Sequence, residues 1–310
     1  MSPRILIGSR SFGATFPEHL EALRDAGFEV IPNDRGRAYR AAELLERLGS
    51  VDAIVTGTDE LTAEVIASAP RLKLIAKHGV GLDNIDLEAA REAGVVVSAT
   101  TGAMHDSVAD LTMALLLAVA RSVVPAHVSV AAGEWRPTTG MELRGRTLGL
   151  VGLGRIGREV ALRAQAFGMV VRAHDPYPDV EWAAAHDVVL SELEEVVGMA
   201  DVISLHAPGG GDGPLLDAQR IAAMRPGAIV LNTSRGALVD EAALADGLRE
   251  GRLGGAGVDV FADEPPEDSP LLGLDTVVLT PHIGGRTFDA QRRMGELCVA
   301  SCVATLKDAP

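Results

Sequence analysis

The feature that most constrains the fold of this chain is a run of glycines between an apolar segment and a helical one. Residues 147–151 are apolar enough to predict a buried strand, and glycines follow at positions 152, 154 and 157 as a helical pattern begins. In such a strand–turn–helix unit, Gly152 allows a tight turn, Gly154 lets a pyrophosphate approach the backbone, and Gly157 lets the helix pack close to the strand. The spacing therefore predicts a dinucleotide-binding turn.

A carboxylate follows these glycines at a suitable distance. A second apolar segment, 169–174, ends at Asp175, eighteen residues after the last of the three glycines. An acidic residue near this spacing binds the ribose hydroxyls in dinucleotide-binding units. We expect Asp175 to have that role, and Arg155 and Ile156 to open the helix whose N-terminus faces the phosphates. The alternative is that Asp175 only forms a turn before Pro176.

Composition and charge exclude several classes of function. The chain has 310 residues, enough for two domains, and a formal charge of −15. A chain this acidic is not expected to bind nucleic acid or an anionic membrane. With no signal-peptide pattern and no run of eighteen apolar residues, it is expected to be cytoplasmic. Cys298 and Cys302 are expected to be buried, reduced thiols, and no metal site is predicted.

Apolar strands alternate with helical segments in two stretches of the sequence. In residues 4–98 the predicted strands are 5–7, 28–31, 53–55, 72–76 and 95–97. In residues 147–282 the glycine unit is followed by predicted strands at 169–174, 188–190, 202–205, 228–231, 257–260 and 277–279. This alternation predicts parallel sheets covered by helices on both faces. A last helix, 288–306, is expected to pack on the first domain.

A long helix-compatible segment, 103–132, separates the two stretches, with a break expected at Pro125. Its apolar residues exceed what one buried face needs, and they include Leu111, Ala114, Leu115, Ala118 and Val119. We therefore expect this segment, with Trp135 after it, to form a two-fold interface, which predicts a homodimer.

Four ionisable residues come directly after predicted strands: His206, Arg235, Glu264 and His282. In an open α/β sheet, ligands bind beyond the carboxyl ends of the strands, where these residues should meet. A histidine can exchange a proton, a carboxylate can raise the pKa of that histidine, and an arginine can hold a substrate carboxylate. Each residue alone is more often an ordinary surface or salt-bridge residue. Together, near a nicotinamide, they would suit hydride transfer coupled to proton transfer.

Five segments carry a resemblance to a known family: 77–86, the glycine turn at 152–157, 232–241, 259–266 and 281–285. In them, and over nearly all of residues 70–290, the sequence resembles the NAD-dependent D-2-hydroxyacid dehydrogenases. It is most similar to the short phosphoglycerate-dehydrogenase-like members. The resemblance implies an enzyme that uses NAD to transfer a hydride to or from C2 of a small anionic 2-oxo or 2-hydroxy acid.

The resemblance also implies a role for individual residues. Arg235, Glu264 and His282 match the family's catalytic residues, and Arg235 and His282 would also contact the substrate. The remaining implied substrate site consists of the backbone of Gly79, Val80 and Gly81, Lys77 for a second anionic group such as phosphate or phosphonate, and Met104, where many relatives have Asn. The implied cofactor site consists of Gly152, Gly154, Arg155, Ile156, Gly157, Asp175, His206, Ala207, Pro208, Thr233, Ser234, Asp259 and Gly284.

The implied fold is α/β, with two doubly wound parallel-sheet domains. A Rossmann cofactor domain, residues 100–285, is inserted in a flavodoxin-like substrate domain, residues 1–99 and 286–310. The chain departs from the family at 99–101, where relatives have Asn-x-Pro, and at the glycine-rich residues 209–213. Two alternatives remain open: a dehydrogenase of another small anion, as in phosphite dehydrogenases, and an NAD-sensing binding protein similar to transcriptional corepressors.

Overall fold

A computed structural model describes residues 2–209, 211 and 213–307 of the chain, which divides into two compact units. Unit 1 consists of Met1–Met104 and Gly285–Pro310, and unit 2 of His105–Gly284. We predicted boundaries after residues 99 and 285. Unit 2 begins five residues later and ends one residue earlier than the predicted domain, so residues 100–104 and Gly285 lie in unit 1.

Two contacts explain this shift of the boundary. The Thr100 hydroxyl and amide both bond to Gly79, at distances of 3.0 Å. Ala103 is buried against Ala290 and Met294 of the last helix. These residues therefore belong to the first unit's core and loops, although the sequence pattern had suggested that they open the second domain.

Unit 1 is built on a five-stranded, all-parallel sheet with the order β2-β1-β3-β4-β5. Its strands are β1 (Arg4–Ile7), β2 (Glu29–Ile31), β3 (Ala53–Thr56), β4 (Leu74–Lys77) and β5 (Val96–Ala99). Its helices are α1 (Glu18–Asp25), α2 (Ala41–Arg47), α3 (Ala63–Ala67), α4 (Leu87–Glu92) and, at the end of the chain, α12 (Phe288–Lys307). This is the flavodoxin-like strand order, which confirms that prediction.

The central strands β3 and β4 of unit 1 are buried along their whole length and mostly apolar because both faces of the sheet are covered. Along β1, Leu6 enters one core while Ile5 and Ile7 enter the other. The second of these cores also contains Cys298 and Cys302 of α12. Both thiols are free and buried, as predicted, and α12 packs on the first domain, as predicted. Burial raises the pKa of Cys302 to about 12, so its thiol stays protonated near neutral pH.

Unit 2 is built on a seven-stranded, all-parallel sheet with the order β12-β11-β10-β9-β6-β7-β8. Its strands are β6 (Thr147–Val151), β7 (Val170–His174), β8 (Val189–Leu190), β9 (Val202–Leu205), β10 (Ile229–Asn232), β11 (Gly255–Val258) and β12 (Val277–Leu279). Its helices are α5 (His105–Ala120), α6 (Val123–Ala131), α7 (Arg155–Ala166), α8 (Val180–Ala185), α9 (Leu193–Met199), α10 (Ala218–Ala223) and α11 (Glu241–Arg249). Counted from β6, this is the Rossmann order extended by one strand.

One strand of unit 2 lies two residues earlier than predicted. We expected residues 257–260, but β11 pairs with β10 from Ile229 with Gly255 to Asn232 with Val258. Asp259 therefore lies just beyond the sheet, at its carboxyl edge. The apolar pattern could not reveal this, because Val260 is also buried.

The first helix of the segment predicted as an interface, α5, is mostly core. In α5, Leu115 is buried, and Leu111 and Val119 pack against the same core of unit 2. The helix ends before Ser122, whose φ of 49° is left-handed, and Pro125 lies in the first turn of α6, where proline is tolerated. The apolar side chains left exposed are instead on α6. Within the described residues no single helix is long and apolar enough to cross a membrane; α5 and α6 pass that test only as a pair, which is bent by 64°.

Candidate active site

The strand order of unit 2 reverses between β6 and β9, and dinucleotides bind at such a switch point. Gly152 follows β6 with a φ of +98°, and a Cβ there would lie 2.6 Å from the carbonyl of His206, which follows β9. A Cβ at Gly157 would lie 2.2 Å from the carbonyl oxygen of Gly152. Side chains at these two positions would therefore force the turn apart.

The start of α7 fits a phosphate group. Nothing lies within 4 Å of the position that a Cβ would take at Gly154, so the backbone there is accessible. No side chain in the described part of the chain caps α7, which leaves the amide groups of its first turn, at Arg155 and Ile156, for an anion. The turn has the glycines, the open approach and the unpaired donors that a pyrophosphate requires.

Asp175 follows β7 and is bound to the glycine turn itself. One carboxylate oxygen accepts the amide of Leu153 and the other accepts the amide of Tyr177, both at 2.8 Å. A carboxylate has about four acceptor positions, so two remain for ribose hydroxyls. The sequence predicted the ribose contact but not the two backbone contacts that fix the carboxylate.

The ends of β9 and β10 lie side by side in the expected cofactor region. Burial lowers the pKa of His206 to about 4, so its ring is neutral, and Nε2 lies 2.8 Å from the Ser204 hydroxyl. The Ser234 hydroxyl donates to the carbonyl of Ala207, which precedes Pro208. Thr233 lies 2.9 Å from the hydroxyl of Thr112 on α5. In the glycine-rich segment 209–213 that follows, Gly210 and Asp212 lie outside the described residues.

A histidine and a carboxylate are paired at the carboxyl edge of the same sheet. Nδ1 of His282 lies 2.8 Å and 3.1 Å from the two carboxylate oxygens of Glu264. This hydrogen bond raises the pKa of His282, against the opposing effect of its partial burial. Burial acts to raise the pKa of Glu264, but the hydrogen bond and charge of His282 lower it below its usual value. The pair therefore favours a charged imidazolium beside a carboxylate.

Arg235 lies near this pair. Its charge lowers the pKa of both His282 and Glu264. The next residue, Gly236, explains the approach: a Cβ there would lie 1.8 Å from the carbonyl carbon of Phe261. Only glycine lets the loop after β10 pass this close to the loop that carries Glu264. Asn232 supports the same loop, because its side chain donates to the carbonyl of Arg235 at 2.8 Å.

The turn that carries His282 is held by Asp259. This buried carboxylate accepts the Thr280 hydroxyl at 2.6 Å and the amides of Ile283 and Gly284, both at 2.8 Å. His282 itself has a φ of 53°, an uncommon left-handed conformation that the turn enforces. Asp259 and Gly284 were predicted as cofactor residues. The structure gives them a supporting role for His282, which strand spacing alone does not reveal.

The predicted substrate residues of unit 1 are Lys77 at the end of β4, Gly79, Val80 and Gly81 in the loop after it, and Met104 after β5. The amide of Gly79 donates to the hydroxyl of Thr100 at 3.0 Å, so it is already paired. The amides of Val80 and Gly81 have no backbone partner in the described part of the chain. Lys77 is only 7% exposed, with its ammonium group bound inside the unit. Met104 packs against Gly285, within 2.6 Å of a Cβ built there, so it helps to cover the start of α12.

One group of side chains has the spacing of metal ligands. Among the residues the structure describes, atoms of His105, Asp106 and Glu159 lie within 4.8 Å of one another. The guanidinium of Arg163 already binds both carboxylates, at 3.2 Å to Asp106 and 2.6 Å to Glu159. A cation would have to compete with that charge, so we assign no metal to this group.

Comparison with known proteins agrees with this geometry. Residues 113–284 match the family model described as the D-isomer specific 2-hydroxyacid dehydrogenase NAD-binding domain. The chain is 45% identical over 289 residues to the D-3-phosphoglycerate dehydrogenase of Methanocaldococcus jannaschii, covering 91% of this chain and 55% of that protein. It is 42% identical over 322 residues to the glyoxylate reductase of Thermococcus litoralis, covering 99% and 95%.

A solved structure agrees as well. The TT0316 protein of Thermus thermophilus superposes with a TM-score of 0.88 at 43% identity, over 98% of this chain and 97% of that one. The chain spans about half the length of the phosphoglycerate dehydrogenases that it matches. It spans nearly the whole glyoxylate reductase. With a family model covering more than half of the sequence and a relative matched from end to end, the chain belongs to the D-isomer specific 2-hydroxyacid dehydrogenase family, and residues 113–284 are its NAD-binding domain.

Proposed function

We propose that this protein is an NAD-dependent oxidoreductase that transfers a hydride between nicotinamide and C2 of a small 2-oxo or 2-hydroxy acid. The observation that carries the proposal is the ion pair of His282 and Glu264 beside Arg235. This group lies at the carboxyl edge of the unit 2 sheet, the edge where the glycine turn follows β6. A proton donor, a group that raises its pKa and a fixed cation for a carboxylate are what carbonyl reduction of such an acid requires.

In this mechanism, bound NADH supplies the hydride that reaches C2. His282 donates its Nε2 proton to the oxygen at C2 during reduction, and neutral His282 accepts that proton during oxidation. Glu264 holds Nδ1 and so orients the ring and stabilises its charged form. Arg235 binds the substrate carboxylate with its guanidinium fork.

We propose acids of the size of glyoxylate and hydroxypyruvate as substrates. The relative that this chain matches over nearly its whole length is a glyoxylate reductase. The phosphate-bearing acid that the sequence analysis inferred from Lys77 is not part of the proposal, because that ammonium group is buried and bound within unit 1.

We further propose that NAD is preferred over NADP. The carboxylate of Asp175 is fixed at the end of β7, where it can accept ribose hydroxyls and repel a 2′-phosphate. The residues that follow, Pro176, Tyr177 and Pro178, offer no cation to neutralise such a phosphate.

A homodimer remains our proposal, with the second half of the predicted segment and Trp135 as its surface. The exposed apolar residues of this region are on and after α6: Val123, Val124, Val128, Val130 and Trp135. Exposed apolar side chains in such number on one short segment are typical of a protein interface. A cytoplasmic location also remains a proposal, supported by the two buried free thiols.

The protein should oxidise NADH with glyoxylate or hydroxypyruvate, and His282→Asn should lower kcat by about 10²–10⁴-fold, the usual contribution of a positioned acid. Asparagine suits the left-handed backbone at this position, so the turn should survive. Steady-state absorbance at 340 nm measures both. His186→Asn, at the end of α8, is the control and should keep the wild-type rate. Turnover by His282→Asn near the wild-type rate would contradict the assignment, and phosphite oxidation alone would favour the other small-anion activity.

Glu264→Gln should change the pH dependence of the reaction. The carboxylate raises the pKa of His282, so reduction is sustained below that raised pKa and is lost as the pH rises through it. Glutamine keeps the shape but removes the charge, so the alkaline limb of the kcat/KM profile for reduction should move to lower pH. An unmoved limb would mean that another group titrates.

Asp175→Asn should weaken the discrimination between the two cofactors. We expect wild-type kcat/KM to favour NADH over NADPH by at least about tenfold, or ~1.4 kcal/mol. The asparagine variant should narrow this ratio and bind NADP⁺ more tightly in calorimetric titration. Glu181→Gln, an exposed charge removed from the same unit, serves as the control. Equal wild-type efficiency with both cofactors would refute the proposal.

Light scattering at micromolar concentration should give the mass of a dimer. Val128→Glu should shift the mass towards that of a monomer, because a charge would enter an apolar interface. Val180→Glu is a matched control on α8, since Val128 and Val180 are 58% and 62% exposed. A wild-type monomer, or equal effects of the two substitutions, would argue against this surface.

A further inference from the structure

The sheet of unit 1 has its own switch point, between β1 and β3. Ligands of open α/β sheets bind beyond the carboxyl ends of the strands at such a point. Gly57 is the first residue after β3 at this position, and Lys77 is the last residue of the neighbouring strand β4. The polar contacts of these two residues therefore shape the loops where a ligand of unit 1 would bind.

The ammonium group of Lys77 joins two of these loops. It donates to the carbonyl of Gly57 and, at 2.6 Å, to the side-chain oxygen of Asn84. Lys77 is 7% exposed, and an ammonium group removed from water is stable only when its hydrogen bonds are made within the protein. The positive charge of Lys77 therefore acts within the protein, where it strengthens the hydrogen bonds to Gly57 and Asn84.

Asn84 extends the connection. Its side-chain nitrogen donates to the backbone carbonyl of Asp59 at 2.7 Å, and its backbone carbonyl accepts the amide of Leu61 at 3.0 Å. The residue thus fastens the loop after β4 to the loop after β3 at two further points. Lys77 holds the side chain of Asn84 in the orientation that makes the first of these bonds.

The peptide groups at Gly57 are held from both sides. The buried carboxylate of Asp59 accepts the amide of Gly57 at 3.0 Å and the hydroxyl of Thr56 at 2.7 Å. The ammonium group of Lys77 donates a hydrogen bond to the carbonyl of the same glycine. An anion and a cation therefore fix the N–H and the C=O of one glycine, whose backbone would otherwise be free to move.

We infer that Lys77 is a positioning residue, which fixes loops 57–61 and 79–84 through Gly57 and Asn84, and that the substrate carries a single anionic group. This inference rests on the proposed function. A side chain that bound a second anion of the substrate would need donors directed at the ligand. Lys77 directs its donors at the protein, so its loss should affect every substrate alike, including glyoxylate, which has no second group to bind.

Three substrates and three variants separate these roles. Glyoxylate, hydroxypyruvate and phosphohydroxypyruvate should be compared by kcat/KM for the wild type, Lys77→Met, Asn84→Ala and the double variant. Lys73→Met is the matched control, because Lys73 precedes the same strand but is exposed. Hydrogen exchange at the amides of residues 57–61 and 80–85 reports on the loops without any turnover.

We expect wild-type kcat/KM to be highest for an acid without phosphate. Lys77→Met should lower kcat/KM for glyoxylate and hydroxypyruvate by the same factor, about 10²-fold, which is typical of a reacting group displaced by about 1 Å. Asn84→Ala should also lower kcat/KM for both acids, and the double variant should lose less than the product of the two single losses, because the two side chains share one connection. Hydrogen exchange in the two loops should rise in both variants and stay unchanged in Lys73→Met.

Two results would overturn the inference. One is a loss of kcat/KM in Lys77→Met that is confined to phosphohydroxypyruvate and leaves glyoxylate unchanged. That result would mean that the Lys77 ammonium group binds a second anionic group of the substrate. The other is unchanged hydrogen exchange in both loops for Lys77→Met and Asn84→Ala. If the wild type reduces none of the three acids, the proposed function fails instead, and hydrogen exchange still decides whether Lys77 fixes the loops.

Discussion

Every strand pair in both sheets is parallel, and the rest of the molecule depends on that constraint. Parallel strands present all their carboxyl ends at one edge, so polar groups far apart in sequence meet there. In unit 2 this edge collects the glycine turn after β6, Arg235 after β10 and His282 after β12. The apolar strands themselves carry no chemistry. They fix the starting points of the loops that do.

Charged groups at these edges are placed by other charged or polar groups, and not by packing alone. Glu264 orients His282, Asp259 holds the turn below it, and Asp175 binds the glycine turn as well as offering acceptors to a ribose. In each case a carboxylate accepts hydrogen bonds from backbone amides or a ring nitrogen. Such bonds are directional, so they define positions more sharply than apolar contacts do.

The sequence predicted the elements whose signal is local. Glycine spacing, apolar runs and strand-end residues were enough to place the dinucleotide turn, both parallel sheets and the ends of strands that carry Arg235, Glu264 and His282. It failed where a residue's partner is distant. The pairing of Thr100 with Gly79 ties residue 100 to unit 1, and Leu115, which we had counted toward an interface, lies in the core of unit 2. Lys77 shows the same limit of prediction. Its neighbours in the sequence do not reveal whether its ammonium group binds a ligand or, as in the structure, the carbonyl of Gly57.

The interrupted sequence of unit 1 has a consequence for synthesis. Unit 2 is continuous, from His105 to Gly284, whereas one core of unit 1 combines Ile5 and Ile7 with Cys298 and Cys302. A ribosome releases the chain from its N-terminus, and domains generally fold as units during synthesis. Unit 2 therefore has its complete sequence available first, while the opening strands of unit 1 wait for α12 to cover them. During that interval the face of β1 that carries Ile5 and Ile7 lacks part of its covering, and apolar surface exposed on a partly folded chain favours aggregation.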